Sequence, residues 1–405
     1  MKPWHVVVAG LVALGVAMGI GRFAFTPLLP MMLADGVVDL PGASWLASAN
    51  YAGYLLGALV CTFQPWLWRR LGVHTSVSGP LLVRIGLVAT TVLTLAMAVH
   101  VPAAWPLLRF CAGLASALVF IYTSGWCLAQ LAALGLPAFG ALIYVGPGAG
   151  IVLSGLAASG MVALHGSAAT GWLVFGALAA VLTAVIWPVF SSQAATAVPA
   201  APAAREAAAR PRGALELALL TVAYGLAGFG YIITATFLPV IARAALPGSP
   251  WLDLFWPLFG LGVIAGALVA SRVRTLGDLR LALAACYAVQ ALGILLSLLR
   301  PTLGGFAFGS LLLGFPFTAI TFFAMQEVRR IRPAHTASFM GLLTAMYGLG
   351  QVAGPPLAAA LLARSVSPGA GFSLSLQIAA GALLAGVVLY ALLARFFPAG
   401  PTSPG

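Results

Sequence analysis

Long apolar stretches, separated by Pro, Gly or charged positions, follow one another along almost the whole chain. Each stretch has the roughly 20 apolar residues that an α-helix needs to cross the hydrocarbon core of a membrane. The pattern predicts twelve helices, near Trp4–Leu33, Ser44–Trp66, Val77–Val99, Ala103–Gln130, Pro137–Leu164, Thr170–Phe190, Ala214–Ala242, Pro250–Ser271, Leu279–Leu299, Thr302–Gln326, His335–Ala363 and Gly371–Phe397. The sequence therefore predicts an all-α polytopic membrane protein.

Residues 191–213 divide these stretches into two sets of six. The segment is rich in Ala and Pro, polar at its ends and basic, which is typical of a linker outside the lipid. We therefore expect one six-helix bundle over residues 1–190 and a second over residues 214–397, joined by a cytoplasmic linker. The last residues, 398–405, predict a disordered tail.

The two sets repeat each other. At an offset of 209 positions the first and seventh stretches carry the same residues, namely Gly19 and Gly228, Gly21 and Gly230, Leu29 and Leu238, and Pro30 and Pro239. The run Gly53-x-x-x-Gly57 returns as Gly262-x-x-x-Gly266 at the same offset, and this spacing favours close packing of helices. A parallel repeat predicts a pseudo-two-fold axis along the membrane normal, with a substrate path between the halves.

The composition agrees with lipid as the solvent. Of the 405 residues, 62% are hydrophobic and only 6% are charged, and the mean hydropathy is +1.08. Charged residues make up about a quarter of a normal soluble chain, so a soluble globule and a membrane anchor with a soluble enzyme are both excluded. The four Cys lie inside apolar stretches without C-x-x-C spacing, which predicts packing roles rather than disulfides or a metal site.

No sequence motif of an enzyme or of a cofactor site is present. The chain has no H-E-x-x-H, no G-x-S-x-G and no P-loop, and its five His are widely scattered. The sequence therefore predicts no catalysis, no cofactor and no bound metal.

The net charge of +12 first informs the orientation of the chain in the membrane, because Lys and Arg accumulate on the cytoplasmic side of membrane proteins. With both termini in the cytoplasm most loop cations lie inside, and only Arg243, Arg300 and Arg364 lie outside. This orientation predicts a multi-pass protein of a bacterial-type inner membrane, without nucleic acid as a partner. Arg22 and Arg109 are then the cations deepest in the membrane.

Twelve helices in a 6+6 repeat with a long central linker resemble the major facilitator superfamily (MFS) over essentially the whole chain. Shorter motifs resemble its YbfB/YjiJ-type branch. They are Gly21-Arg22-Phe23, Thr26-Pro27-Leu28-Leu29-Pro30, Asn50-Tyr51-Ala52-Gly53-Tyr54-Leu55-Leu56-Gly57-Ala58, Gly228-Phe229-Gly230-Tyr231, Thr236-Phe237-Leu238-Pro239 and Gly350-Gln351-Val352-Ala353-Gly354-Pro355. The resemblance implies a monomeric permease or efflux transporter that works by alternating access, and it implies no substrate class.

Three superfamily motifs are matched unequally. The fourth-helix pattern of Arg followed by Gly is present at Arg109, and the fifth-helix antiporter pattern is matched only in part, around Gly146-Pro147. The loop after the second helix, Trp68-Arg69-Arg70-Leu71-Gly72, lacks the Asp that usually forms a gating salt bridge, whereas the corresponding loop of the second half keeps Gly277-Asp278-Leu279-Arg280.

The two deep cations need a partner or a function, since a guanidinium at membrane depth costs roughly 3 kcal/mol on insertion scales. By resemblance the first and fourth helices line a central cavity, so Arg22, Arg109 and Asn50 are expected at one level beside it. All acidic residues lie near the membrane faces, so no deep carboxylate is expected. In a functional interpretation, Arg22 and Arg109 both bind an anionic substrate. A structural interpretation pairs Arg109 with a backbone carbonyl, Asn50 or an Asp of the outer face.

Further polar residues within the stretches are candidates to shape the same site. Tyr231 stands at the repeat position of Arg22, with Thr234 close by. Tyr144, Tyr347 and Gln351 lie in other helices of the predicted bundle. Hydrogen bonds between packed helices are the alternative role for each of them.

The favoured hypothesis is a secondary or facilitative transporter of a small organic anion bound by Arg22 and Arg109. One alternative is proton-coupled efflux of apolar or cationic compounds, with Asp35 or Asp253 as the proton carrier. Another is a non-transporting membrane protein or lipid scramblase on the same fold. The expected partners are thus a small-molecule substrate, membrane lipid and a proton or another coupling ion.

Overall fold

The computed structural model describes residues 2–72, 78–191, 212–249, 251–272, 278–331 and 336–397. Within these ranges the chain is helical and has no strand. The α-helices, α1 to α14 in chain order, are Pro3–Leu14, Phe25–Ala34, Leu40–Arg70, Gly79–Ala96, Trp105–Ala133, Val145–Ala163, Ala168–Ser191, Arg212–Ala245, Phe255–Arg272, Leu279–Leu299, Leu303–Gly314, Phe317–Ile331, Thr336–Arg364 and Pro368–Phe396. An eight-residue π-helix, Gly15–Arg22, lies between α1 and α2.

Eleven stretches of the described residues are long and apolar enough to cross a membrane. They begin with Pro3–Ala34, which combines α1, the π-helix and α2, and they end with Pro368–Phe396. Helix α13 has the length of a span, at 29 residues, but it is less apolar because Gly350-Gln351 and Pro355-Pro356 lie in its middle. The all-α membrane class predicted from the sequence is therefore confirmed, with eleven of the expected spans found by length and hydropathy.

The first predicted helix, Trp4–Leu33, is not one regular α-helix. Its middle part is the π-helix, which is followed by a turn at Phe23 and Ala24. A β-carbon at Gly19 would lie only 2.4 Å from the Cα of Gly150 on α6, so the two backbones touch there. The π-helix therefore lies where one helix packs directly on another, and π-helical turns are frequent at functional sites.

Two other expectations from the sequence concern boundaries. The predicted helix Thr302–Gln326 is divided into α11 and α12 at the turn before Phe317, where Pro316 lacks the N–H that would continue the helix. Most of the expected linker 191–213 and the whole expected tail 398–405 lie outside the described residues.

The repeat seen in the sequence returns in the packing. In the first half α3 crosses α5 at Gly53, where a β-carbon would lie 1.8 Å from the carbonyl oxygen of Phe110. In the second half α9 packs on α11 at Gly262, where a β-carbon would lie 2.3 Å from the carbonyl oxygen of Leu311. Corresponding glycines thus bring corresponding helix pairs into backbone contact, as their spacing predicts.

The two halves meet where α3 packs on α13 and α6 packs on α9. The hydroxyl of Thr26 on α2 donates to the carbonyl oxygen of Ala235 on α8 at 3.0 Å, and the two residues are 209 positions apart. Since 209 is the offset of the repeat, these are equivalent positions of the two halves. Equivalent residues that touch lie on the axis that relates them, so this contact supports the expected pseudo-two-fold symmetry.

Candidate functional site

Arg22 is the last residue of the π-helix, and only 3% of it is exposed. Its Nη2 donates to Oε1 of Gln351 on α13 at 2.6 Å. The Nε2 of Gln351 in turn donates to the hydroxyl of Tyr231 on α8. Three residues that the sequence indicates as candidates therefore form one buried hydrogen-bond chain, and this chain crosses the boundary between the two halves.

Aromatic rings of the first half surround the Arg22 guanidinium. Its Cζ lies 4.0 Å from the ring centre of Tyr54, 5.4 Å from that of Tyr51 and 5.3 Å from that of Phe23. A cation over an aromatic face is stabilised by about 0.5–2 kcal/mol, depending on how far it is desolvated. The Nε of Arg22 has no hydrogen-bond partner among the described residues. The guanidinium thus keeps a free donor although it is deeply buried.

No carboxylate compensates this charge in the part of the chain that the structure describes. The ion pairs there involve Arg243, Arg280 and Arg330, and none of them involves Arg22 or Arg109. Within the described residues, the neutral amide of Gln351 accepts a hydrogen bond from Arg22 at 2.6 Å. The site therefore carries positive charge in a low-dielectric environment, which favours an anionic ligand.

Arg109, on α5, is buried behind Arg22. Its Nη1 and Nη2 donate to the carbonyl oxygens of Gly21 at 3.3 Å and of Arg22 at 3.0 Å. The Nδ2 of Asn50 donates to the carbonyl oxygen of Arg109 itself at 2.9 Å. Carbonyl groups at the end of a helix lack an intrahelical donor, so Arg109 satisfies the backbone that carries Arg22. This geometry corresponds to the structural interpretation of Arg109.

The other candidate residues lie at different distances from this centre. The ring of Tyr347 stacks on that of Tyr231 at 5.8 Å, which places it beside the hydrogen-bond chain. Thr234 is buried, and its hydroxyl has no hydrogen-bond partner among the described residues. Tyr144 lies directly before α6, and its ring centre is 6.1 Å from that of Phe120.

The two proton-carrier candidates lie at helix ends. The Oδ2 of Asp35 accepts the backbone N–H of Ala168 at 2.7 Å, at the first residue of α7. Asp253 forms an ion pair with Arg243. Each carboxylate thus has a contact that explains its position structurally, and a role in proton transfer stays a prediction.

Sequence reasoning did not select the rings next to Arg22. Tyr51 and Tyr54 are three positions apart, so they lie on one face of α3. They flank Gly53, which brings α3 against α5. The three-residue spacing of these Tyr beside a packing glycine could have indicated an aromatic face on α3. That this face contacts Arg22 is visible only from the position of the π-helix.

A second charged cluster lies in the second half, around Arg280 at the start of α10. Arg280 is 1% exposed and pairs with Asp278 at 2.7 Å, with Glu216 at 3.2 Å and with Glu327 at 3.5 Å. It also donates to the carbonyl oxygen of Leu393 near the end of α14 at 3.1 Å. The hydrogen bond from Arg280 holds the pKa of the Asp278 carboxyl below its usual range. The sequence indicated Asp278 and Arg280, but not that this cluster ties four helices together.

An all-helical membrane chain with a parallel repeat, and with polar residues buried at the boundary between the repeats, has the architecture of a multi-pass transporter. The family model described as "Uncharacterised MFS-type transporter YbfB" matches residues 14–391. The chain belongs to this family of MFS-type transporters, and the resemblance noted in the sequence is thereby confirmed.

Solved structures agree with this assignment. The fold is similar to a mutant form of the nucleoside transporter NupG, with a TM-score of 0.71 and 16% identity, over 96% of this chain and 99% of that one. A second NupG structure gives a TM-score of 0.63 and 16% identity over 99% and 100% of the two chains. Identity at this level shows the fold alone. No curated protein matches the chain significantly. Both the family and these neighbours are transporters rather than enzymes.

Proposed function

We propose that the protein is a secondary or facilitative transporter that moves a small organic anion by alternating access and binds it through Arg22. One observation carries this proposal: the buried guanidinium of Arg22 has a neutral amide as its side-chain acceptor, and no described carboxylate pairs with it. An Arg–carboxylate pair joins opposite charges and is frequently bidentate, whereas a neutral amide offers one acceptor oxygen and no charge. A carboxylate is therefore the better partner for this guanidinium than the amide of Gln351.

In this mechanism a substrate carboxylate replaces Oε1 of Gln351 as the acceptor. Arg22 belongs to the first half and Gln351 to the second, so the exchange breaks a hydrogen bond between the halves while it forms one to the substrate. The substrate then has different affinities for the two arrangements of the halves, which is what a ligand needs in order to shift a conformational equilibrium.

Arg109 has another role in this proposal than the sequence suggests. The sequence-based hypothesis gives the anion to Arg22 and Arg109 together. Because the guanidinium of Arg109 donates to the carbonyl oxygens of Gly21 and Arg22, we assign it to positioning Arg22. Tyr231, Tyr347 and the other candidates then shape the site around one cation.

The proposal includes twelve spans in two six-helix bundles, residues 1–190 and 214–397, with α13 as the span of lowest hydropathy. Its length of 29 residues and its packing against α3 and α8 support this role. It also includes a monomer in a bacterial-type inner membrane with both termini in the cytoplasm. The basic loops support this orientation, because cationic loops resist translocation.

The test is binding by the purified full-length protein in detergent, measured as the ligand-induced rise in Tm. The probes are small carboxylates, sugars, amino acids and lipophilic cations. A ligand at about 100 times its Kd stabilises the folded state by about 2.7 kcal/mol. Arg22→Gln removes the charge, and Arg300→Gln makes the same change at an exposed position.

We expect carboxylates to raise the Tm of the wild type and of Arg300→Gln, but not that of Arg22→Gln. An equal rise in Arg22→Gln would show that Arg22 does not bind the anion. Stabilisation by lipophilic cations alone would favour the efflux alternative. Flux of the stabilising carboxylate into proteoliposomes is the second measurement, and lipid movement without solute flux would favour a scramblase.

A further inference from the structure

Aromatic side chains from both halves extend the ring contacts of Arg22 into a larger cluster. The ring of Phe23 lies 6.2 Å from that of Phe317 on α12 and 6.0 Å from that of Trp256 on α9. Phe317 in turn lies 5.2 Å from the ring of Tyr231. We call this set the aromatic cluster, and it consists of Phe23, Tyr51, Tyr54, Tyr231, Trp256 and Phe317.

Two guanidinium groups lie near the aromatic cluster, and the Nε of each has no hydrogen-bond partner among the described residues. They differ in what their Nη groups bind. Both Nη groups of Arg109 donate to backbone carbonyl oxygens, those of Gly21 and Arg22, whereas Nη2 of Arg22 donates to the side-chain amide of Gln351. A first carboxylate would replace one neutral side-chain acceptor at Arg22, but a second carboxylate on the same ligand would have to compete with the backbone for Arg109. The site thus favours one carboxylate over two.

The side chains around Arg22 also limit what the rest of the ligand can be. A sugar-like ligand needs many hydrogen-bond partners, whereas the residues around Arg22 are mainly aromatic carbon surfaces. Aromatic pairs gain attraction beyond their buried area when the rings meet offset or edge to face. A planar ring can form such contacts with several members of the aromatic cluster, and a saturated ring of the same size cannot.

We propose that the preferred ligand class is a monocarboxylate attached to an aromatic ring, with the carboxylate on Arg22 and the ring within the aromatic cluster. This inference rests on the proposed function, since it requires that Arg22 binds the anion. It adds two properties of the ligand, namely that it carries a single carboxylate and that this carboxylate is attached to a planar apolar ring.

The test compares probes that differ in one property each, by titration of Tm on the full-length protein in detergent at pH 7. Benzoate is the reference, cyclohexanecarboxylate is its saturated counterpart, propionate lacks the ring, phthalate adds a second charge, and benzamide and uridine are neutral. We expect the Kd of benzoate to be lower than those of cyclohexanecarboxylate, propionate and phthalate by about tenfold. Benzamide and uridine should not raise the Tm.

Two variants locate the effect. Phe317→Leu removes one ring of the aromatic cluster but keeps the charge, and Phe308→Leu makes the same change at a side chain that is 65% exposed on α11. We expect Phe317→Leu to reduce the preference for benzoate over cyclohexanecarboxylate, and Phe308→Leu to leave it unchanged. Because the probe series is measured on the wild type, the comparison does not depend on the folding of either variant.

The outcomes separate the two proposals. If benzoate and cyclohexanecarboxylate bind equally and both need Arg22, the ring preference is wrong and the anion site stands. If no carboxylate binds, both proposals fail. If uridine or benzamide binds as tightly as benzoate, charge is not what the site selects, and both are overturned.

Discussion

The guanidinium of Arg22 and the amide of Gln351 are 329 positions apart in the chain and form a buried hydrogen bond of 2.6 Å. One side chain belongs to the first half and the other to the second. The acceptor is neutral, so a carboxylate would be a stronger one. In the mechanism proposed above, binding of an anion and separation of the halves are coupled at one atom, Oε1 of Gln351.

This coupling predicts opposite effects of two substitutions at the same residue. Gln351→Glu supplies Arg22 with an internal carboxylate, and we expect the Kd for carboxylates to rise by on the order of tenfold or more, because the internal acceptor competes with the ligand. Gln351→Ala removes the neutral acceptor and should keep or improve carboxylate binding. Titration of Tm on both variants checks this, and unchanged binding by Gln351→Glu would show that the acceptor is not exchanged.

A second prediction distinguishes the two interpretations of Arg109. Arg109→Lys keeps the charge but loses the planar fork that reaches two carbonyl oxygens. If Arg109 positions the backbone, the Lys variant and Arg109→Gln should each lose about 1–3 kcal/mol of stability without ligand. The measurement is the Tm without ligand, followed by the Kd for a carboxylate. A Lys variant that restores ligand binding lost in Arg109→Gln would instead indicate direct contact with the anion.

A third prediction concerns the contact between the π-helix and α6. A β-carbon at Gly150 would lie 2.5 Å from the carbonyl oxygen of Gly15, so Gly150→Ala must push the two backbones apart. We expect a loss of about 1–3 kcal/mol, as for other overpacked sites. Gly160→Ala on the same helix is the control, because nothing lies within 4 Å of its added carbon. Equal Tm values for the two variants would mean that this crossing can relax freely.

Much of the fold can be predicted from the sequence, because the length of an apolar stretch and the spacing of its glycines are properties of one short segment. The apolar stretches predict the spans, and the offset between Gly53 and Gly262 predicts a packing repeated in the second half. The π-helix Gly15–Arg22 was not predicted. Its hydrophobic pattern is that of any membrane helix, and it lies in backbone contact with Gly150, which is remote in sequence.

The candidate site was predictable in part for a similar reason. Arg22 stands out because charge is rare in the membrane, and Gln351 and Tyr231 because they are polar. The roles of these residues depend on contacts between helices. A charged residue deep in the membrane can bind a substrate or donate to backbone carbonyl groups, and the sequence does not distinguish these roles for Arg109. The hydrogen bond from Arg109 to the carbonyl oxygen of Gly21 supports the second role.

A fourth prediction addresses proton coupling. Asp35→Asn keeps an oxygen that can accept the N–H of Ala168, and Asp253→Asn removes the charge that pairs with Arg243. If the protein carries an anion on Arg22 without these acids, both variants should keep the wild-type pH dependence of flux in proteoliposomes. A shifted or flattened pH profile in either variant would support the efflux alternative with that residue as the proton carrier.

The last prediction uses the charged cluster around Arg280. Arg280 lowers the pKa of Asp278, so this pair stabilises the fold above the ordinary carboxyl value of 3.8 and loses its effect as the pH falls through the still lower pKa of the folded protein. Asp278→Asn keeps an acceptor for the backbone N–H of Arg280 but removes the charge. We expect the variant to be less stable than the wild type at pH 7, by about 1 kcal/mol.

This difference in Tm between wild type and Asp278→Asn should shrink as the pH is lowered below about 4, because the wild-type carboxyl then becomes neutral as well. Asp39→Asn is the matched control: Asp39 accepts the backbone N–H of Gly42 at a helix start, and it takes part in none of the ion pairs of the described residues. Its Tm should stay close to that of the wild type at pH 7. A difference for Asp278→Asn that persists unchanged in acid would mean that its carboxylate charge does not stabilise the cluster.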